Sequence, residues 1–323
     1  MNDAVAIILI GRNEGDRLKR ALDSVIGLVD RIVYVDSGST DRSVLYAQSK
    51  GIEVVELDMS IPFTAARARN AGVDALRDEG LPEFLQFIDG DCAMVRDWLS
   101  MALSVMRADT GLGIVTGWRR EIHPQDSIYN AMCDHEWYRP AGPIVACGGD
   151  MLVRTMAFEK AGGFNPQVIA AEDDEFCLRV RMAGYKLLRI PRNMTAHDAD
   201  MHRFSQWWKR SVRNGHGFAQ LGALHGGHLS RERARVYVFG LMLPAVALAG
   251  LITNIWVLAG VVALYAGSYA SALRGLLRDG IAPGIAWRFA GFLTLSKIPN
   301  LIGMTTFALR RLRGRSMQII EYK

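Results

Sequence analysis

Apolar residues in this chain come in short unbroken runs separated by segments of helical spacing. Residues 5–10 are almost wholly apolar, as expected for a strand buried on both faces. Leu18, Ala21, Leu22, Val25 and Ile26 follow at helical spacing. Residues 31–35 read as a second strand that closes on Asp36-Ser37-Gly38-Ser39-Thr40-Asp41, a run of turn formers offering N-caps for a helix through Ala47. A third strand over 52–57, a helix over 65–76, a fourth strand over 84–88, a helix over 98–106 and a strand over 114–118 complete the rhythm. The alternation predicts an α/β fold with a Rossmann-like, mostly parallel sheet and helices on both faces. Residues 122–146 break the pattern and are rich in Pro, His, Trp and Tyr, so they read as an inserted loop region beside a site. Gly148-Gly149-Asp150 then turns into a strand, and Gly162-Gly163-Phe164 makes another tight turn. Glu172-Asp173-Asp174-Glu175 opens a helix whose inner side is Phe176, Leu178, Val180 and Met182, and a further strand covers 187–190.

After Val236 the patterning changes, because no charged residue occurs between Val236 and Ala270. One membrane span needs about 20 apolar residues. Thr253-Asn254 lies near the middle of the run, so a hairpin of two short spans, about 236–252 and 255–270, is expected. Arg231, Arg233 and Arg235 precede it, and Arg274 and Arg278 follow it. Basic flanks on both sides put both ends in the cytoplasm and require an even number of crossings. One long tilted span and a buried soluble hairpin are the rival arrangements. Residues 287–309 are apolar but interrupted by Arg288, Lys297 and Pro299, which suits a helix lying in the interface over about 285–310. The expected organisation is a catalytic domain over 1–225 and a membrane-associated region over 226–323.

Charge follows the same division. The 323 residues carry a formal net charge of +5. From Ser271 onward nine Lys or Arg face only Asp279 and Glu321, so that tail carries +7 and the rest of the chain −2. Basicity confined to a tail beside apolar segments points to an anionic lipid surface and away from nucleic acid. Cys92, Cys133, Cys147 and Cys177 are scattered without a CxxC pair, which argues against a disulfide framework or zinc site and fits a reducing cytosol. A first strand starting near Ala4 leaves no room for a cleaved signal peptide.

Candidate chemistry centres on Phe84-Leu85-Gln86-Phe87-Ile88-Asp89-Gly90-Asp91, an apolar strand ending in two carboxylates one residue apart. Residues i and i+2 of a strand share a side, and ligands of open α/β sheets sit at the strands' carboxyl ends. Hard oxygen ligands there suit Mg²⁺ or Mn²⁺, whose shells are usually completed by substrate phosphate oxygens. A plain Asp/Gly turn is the alternative. The four acids at 172–175 exceed what capping a helix needs, although a helix dipole alone favours acids in its first turn.

Several pieces coincide in order: Ile7-Ile8-Leu9-Ile10-Gly11-Arg12-Asn13-Glu14, Val33-Tyr34-Val35-Asp36-Ser37-Gly38-Ser39-Thr40-Asp41, Ala68-Arg69-Asn70-Ala71-Gly72, Asp89-Gly90-Asp91, Gly148-Gly149-Asp150, Gly162-Gly163-Phe164 and Glu172-Asp173-Asp174-Glu175-Phe176-Cys177-Leu178-Arg179. In this order and spacing, over roughly residues 4–220, the set resembles the family 2 glycosyltransferases of the GT-A fold. The tail resembles that of bacterial members that build surface polysaccharides.

The resemblance implies a UDP- or GDP-sugar donor, a Mn²⁺ or Mg²⁺ ion and inverting transfer to a hydroxyl. Gly11, Arg12 and Glu14 match the first-strand loop bordering the nucleotide, and Arg69 an arginine near base or phosphate. Asp36 matches the first acid of the nucleotide-contacting pair. Ser37 stands where the second acid is expected, which puts the contact to the base and the identity of the nucleotide in doubt. Asp89 would face ribose and metal, Asp91 would hold the metal, and Asp173 matches the catalytic base. Gly148, Gly149 and Asp150 would border the acceptor, with Glu172 and Arg179 on the same side. His197, in Thr195-Ala196-His197-Asp198 after the strand over 187–190, matches a histidine that completes the metal shell; a surface loop histidine is the plainer alternative. Gln206-Trp207-Trp208-Lys209-Arg210 lacks the Gln-x-x-Arg-Trp of processive synthases, so one sugar per visit is expected. The tail's location suggests a polyprenyl-diphosphate-linked acceptor, contact with membrane lipids, and a place on the cytoplasmic face of the plasma membrane. A nucleotidyltransferase acting on sugar phosphates and a non-catalytic membrane scaffold are the competing functions.

Overall fold

The nearly continuous apolar run at the start of the chain forms the middle of a sheet, covered on both faces, in the computed structural model, which describes residues 4–321. The chain divides into two compact units, Met1–Asp200 and Met201–Lys323. The first unit runs β1 (Val5–Gly11), α1 (Asp16–Val25), β2 (Arg31–Asp36), α2 (Ser43–Ser49), β3 (Glu53–Glu56), α3 (Ala65–Ala75), β4 (Phe84–Asp89), β5 (Cys92–Met94), α4 (Trp98–Ala108) and β6 (Leu112–Glu121). It continues through α5 (Ile128–Trp137), β7 (Gly142–Ile144), β8 (Met151–Arg154), α6 (Thr155–Ala161), α7 (Glu172–Met182) and β9 (Lys186–His197).

The sheet order is β3-β2-β1-β4-β8-β6-β9-β5, with β7 pairing to β9. Strands β3, β2, β1 and β4 are parallel, as the α/β alternation requires. Strands β6 and β9 pair parallel to each other, and the strands that run the other way are three short ones: β8, inserted between β4 and β6, and β5 and β7, each paired to β9. The segment over 122–146 is also more ordered than its composition suggests. It holds α5, capped by the Ser127 hydroxyl, which accepts from the Asn130 N–H at 3.0 Å, and the short strand β7. Likewise β6 and β9 run to Glu121 and His197, beyond their apolar stretches, because their charged ends pair with each other.

Alternation along each strand divides the core between the two sheet faces. Ile7, Leu9, Phe84 and Ile88 pack with Leu18, Leu22 and Trp98, while Ala6, Ile8, Leu85 and Phe87 pack with the other face's helices. There Phe87, Phe158, Phe164 and Phe176 form an aromatic cluster, with Phe164 and Phe176 stacked at 4.2 Å between centroids. This cluster seats the first turn of α7, which carries Asp173, against the sheet.

The second unit is helical: α8 (Phe204–Leu224), α9 (Ser230–Tyr237), a π turn (Val238–Met242), α10 (Leu243–Thr253), α11 (Ile255–Arg278), α12 (Pro283–Leu295) and α13 (Lys297–Leu312). Two helical stretches of 24 residues, Ser230–Thr253 and Ile255–Arg278, are long and apolar enough to cross a membrane. At about 1.5 Å per residue each exceeds the roughly 30 Å of a hydrocarbon core. They meet at Asn254, whose side chain accepts from the Trp256 N–H at 2.9 Å and caps α11. The π turn falls just before Pro244, whose ring clashes with the carbonyl four residues earlier in a regular helix. Leu248, Leu251, Ile252, Ile255 and Trp256 are exposed. The stretch expected as one interfacial helix is two, α12 and α13, broken at Ser296; Pro299 has no N–H to donate to the carbonyl of Leu295, where α12 ends. Lys323 of the basic tail lies outside the described residues.

Phe164→Ala should remove a fully buried ring from under α7 and cost about 3–5 kcal/mol, read as a lowered midpoint in denaturant. A loss below about 1 kcal/mol would show that the cluster is not supporting this face.

Candidate active site

Strand pairing brings together groups that lie far apart in sequence. In the β5/β9 ladder Cys92 sits opposite His197, and the Asp198 N–H donates to the Asp91 carbonyl at 3.0 Å. Asp91 Oδ2 thereby lies 3.3 Å from His197 Nε2. The other ring nitrogen, Nδ1, is 3.1 Å from Glu121 Oε2, and the same oxygen accepts from the Ala199 N–H at 2.9 Å. Buried Glu121 thus favours the tautomer with its proton on Nδ1, turning the Nε2 lone pair toward Asp91. Trp137 closes over the imidazole with ring centroids 4.3 Å apart.

Asp89, at the end of β4, sits between two arginines. Arg69 donates to Oδ1 at 2.7 Å and Arg119 to Oδ2 at 2.9 Å. Burial alone would raise the Asp89 pKa, but the two guanidiniums outweigh it and hold the carboxyl below the usual range. Arg69, buried at the inner side of α3, uses its other amino group on Glu172 Oε1 at 2.8 Å. One guanidinium therefore ties the end of β4 to the first turn of α7. Arg119 continues the network to Asp150, whose carboxylate also accepts from the Asp89 N–H and from the Thr195 hydroxyl, at 2.9 and 2.6 Å.

Asp173 follows Glu172 and faces a cavity of about 330 Å³ lined also by Thr116, Arg119, Trp137, Gly148 and Arg189. Burial, with the charge of Glu172 beside it, pushes the Asp173 carboxyl up to about 7, against the opposing pull of Arg69. The helix begins from Ala171, held at φ 58 in the left-handed region, a strained start for a residue with a side chain. Glu175 is buried and gripped by Arg179, which donates to both its oxygens and to the carbonyls of Ala161 and Gly163.

The structure thus gathers Arg69, Asp89, Asp150, Glu172 and Asp173 around one network, with Asp91 and His197 joined on the β5/β9 side. Gly149 sits where any Cβ would overlap the Arg69 guanidinium and come within 3.1 Å of Asp89 Oδ1. Gly148 is open toward Arg119 and Asp173, each 3.9 Å from the point a Cβ would occupy. Asp150 lines the cavity, but its oxygens are committed to internal bonds, and Glu172 and Arg179 likewise act inside the fold. At the end of β2, buried Asp36 accepts from the Tyr34 hydroxyl and from the N–H groups of Gly38 and Ser39, so it folds its own loop. That loop is tied to the first one through Asn13, whose Oδ1 accepts from the Thr40 N–H at 2.7 Å. Arg12 stacks on Phe63 at 4.6 Å, and Glu14 pairs with Arg17 at 3.0 Å.

Arg119, Glu121 and Trp137 escape the sequence motifs. Their one signal is the charged Arg119-Arg120-Glu121 stretch that ends an otherwise apolar strand, next to the aromatic-rich segment.

The donor set fits a hard divalent cation. Asp91, Cys92 and His197 present ligand atoms within 4.8 Å of one another, as do Asp89, Cys92 and Asp150. Burial pushes the Cys92 thiol well up, so it stays protonated and is a poor partner for such an ion. Asp91 and His197 remain as groups that could supply a carboxylate and an imidazole to such an ion, with the Glu121 carboxylate behind the imidazole.

Comparison with known proteins bears on the family and the fold. Residues 6–147 match the family model described as glycosyl transferase family 2. The chain is 25% identical over 237 residues to the pre-mycofactocin glycosyltransferase of Mycobacterium tuberculosis, covering 68% of this chain and 48% of that protein. It therefore spans about half the length of that relative. It is 25% identical over 233 residues to glycosyltransferase AglE of Haloferax volcanii, covering 68% of this chain and 74% of that one. Among solved structures, the mannosyltransferase PcManGT of Pyrobaculum calidifontis, in complex with GDP-Man and Mn²⁺, superimposes with a TM-score of 0.60 at 20% identity, over 98% of this chain and 89% of that one. S. aureus TarS 1-349 gives 0.51 at 14% identity, over 96% and 92%. Residues 6–147 thus carry the likeness to family 2 glycosyltransferases, and the fold is of the GT-A type.

Two substitutions test the supports of the site. Glu121→Gln should weaken Mn²⁺ binding about 10–100-fold in calorimetry with the fold unchanged, since the ring loses its orienting carboxylate. Gly149→Ala should leave a folded protein with at most a few per cent of wild-type turnover, because Arg69 must move away from Asp89; full turnover would show that this close approach does not matter.

Proposed function

We propose that the protein is an inverting glycosyltransferase that moves one sugar from a nucleotide-diphosphate donor to an acceptor hydroxyl, with Asp173 as general base. The observation that carries this reading is the single guanidinium of Arg69, which bonds Asp89 on one side and the Asp173-bearing turn, through Glu172, on the other. Tying the end of β4 to the start of α7 supports a base and donor-side acids that serve one reaction.

Asp91 and His197 would hold a Mn²⁺ or Mg²⁺ ion, with Asp89 beside it, and the bound ion would offset charge on the departing diphosphate. Gly11, Arg12, Glu14 and Asp36 border the nucleotide, and Arg69 and Arg119 fix the direction in which Asp89 faces. On the acceptor side Asp173 takes the hydroxyl proton as the oxygen attacks the anomeric carbon and the bond to the diphosphate breaks. One displacement inverts that centre. A carboxyl poised near neutrality suits a base that must be free at working pH yet accept a proton in the transition state. The acceptor we favour is a polyprenyl-diphosphate-linked glycan of bacterial surface polysaccharide synthesis, because a chain with two membrane-length helices works where such lipids are; the enzyme then acts on the cytoplasmic face of the plasma membrane.

Asp173→Asn should lower turnover by about 10²–10⁴-fold with nucleotide affinity unchanged; equal turnover removes the assignment. Wild-type kcat/KM should rise tenfold per pH unit below about 7 and level off above it, because Asp173 is active only when deprotonated. A profile flat between pH 5 and 8 contradicts that role. Asp91→Ala should lose metal response and donor binding together. Release of UDP or GDP, and not pyrophosphate, from a supplied nucleotide sugar distinguishes this activity from nucleotidyl transfer.

A further inference from the structure

Arg189 sits on β9, opposite Thr116 of β6 and Gly142 of β7, and lines the same cavity as Asp173. Its neighbour at i−2, Leu187, packs in the core on the α7 side of the sheet, so the alternation turns Arg189 to that side too. Most arginines around the site are spent on carboxylates: Arg69 on Asp89 and Glu172, Arg119 on Asp89 and Asp150, Arg179 on Glu175. Arg189 is not. Among the described residues it forms no ion pair, and its Nε is buried without a hydrogen-bond partner. The carboxylates that share the cavity are Glu136, Asp150, Asp173 and Asp174, and those of Asp150 are taken by Arg119, Thr195 and the Asp89 N–H.

The charges that do reach Arg189 leave it uncompensated. Arg139, just beyond α5, adds a second positive charge, and burial together with that charge lowers the Arg189 pKa. The groups pulling the other way are the thiols of Cys147 and Cys177. The Cys177 thiol lies 3.6 Å from that of Cys147, and this contact and burial push it well up, so it supplies no anion at neutral pH. A half-buried guanidinium costs desolvation that a partner ordinarily offsets. Here the open side of the group is the substrate cavity.

We infer that Arg189, with Arg139 at the rim, binds an anionic group of the acceptor, a phosphate or a carboxylate near the hydroxyl that Asp173 deprotonates. The inference rests on the transferase reading above and narrows it to acceptors carrying negative charge close to the reacting end. A guanidinium fork matches both oxyanions, so phosphate of a lipid carrier and carboxylate of an acidic sugar are the two sources to separate.

The full-length protein in detergent, with Mn²⁺, is titrated with farnesyl phosphate, octyl glucuronide and neutral octyl glucoside, and separately with UDP and GDP. Wild type should bind one of the two anionic probes at least about tenfold more tightly than octyl glucoside, as expected for a charged hydrogen-bonded pair. Which one it prefers names the source. Arg189→Gln should erase that preference, Arg189→Lys should keep part of it, and Arg139→Gln should reduce it a few-fold; nucleotide affinity should stay within about twofold throughout. Equal binding of all three probes by wild type, or a preference that survives Arg189→Gln, overturns the inference. If Arg189→Gln does not fold, the Arg189→Lys and Arg139→Gln ratios decide, unchanged ratios counting against it. Failure of wild type to bind either nucleotide sinks the transferase reading instead, whatever the probe ratios show.

Discussion

The Arg69 guanidinium is the constraint on which the site depends. It is 2% exposed, and a cation taken that far from water is tolerable only with well-placed anions. It has them in Asp89 and Glu172, and each anion is in turn held: Asp89 by Arg119, and Arg119 by Asp150. Such a network costs desolvation at every member, so its net worth to stability is small. Its worth lies in geometry. With Asp89, Asp150 and Glu172 each held by a guanidinium, the end of β4 and the start of α7 are tied to one another, and Asp173 is left as the acid whose charge is not fully matched. Burial is the first cause of the upward shift of that carboxyl, and the neighbouring charge of Glu172 adds to it.

Much of this is written in the sequence. The run of apolar residues in β1, the acids after β4 and the acid run opening α7 follow from periodicity and composition, because each is local. What the sequence does not expose is pairing across distance. Nothing local says that Met151–Arg154 slips between Phe84–Asp89 and Leu112–Glu121 in the reverse sense, since an apolar strand looks alike in both directions. For the same reason Arg119 and Glu121 pass unnoticed. They look like a solvated strand end until β9 lies alongside. The roles expected of Asp150 and Glu172 needed the structure as well, because a carboxylate near substrate and one spent inside the fold have the same letters. Glycine 149 was visible as a turn former, whereas its reason for being glycine is the nearness of an arginine eighty residues earlier.

The second unit shows the reverse balance. Its helices are evident from composition, and only their interruptions depend on detail, at Asn254, Pro244 and Pro299. Each interruption has a backbone cause that needs no tertiary contact: a cap, or a ring that blocks a carbonyl. Apolar side chains that would be a liability on a protein in water are concentrated on α10 and α11.

The meeting of Asp91 with His197 carries a consequence for biosynthesis. The two residues are separated by more than a hundred positions and are joined only when β9 docks beside β5 and β6. A nascent chain that has emerged through the first β-α units already holds the residues of the loops after β1 and β2, yet lacks the imidazole and the strand that presents it. The Asp91–His197 pairing is completed only with β9, the last strand of the first unit.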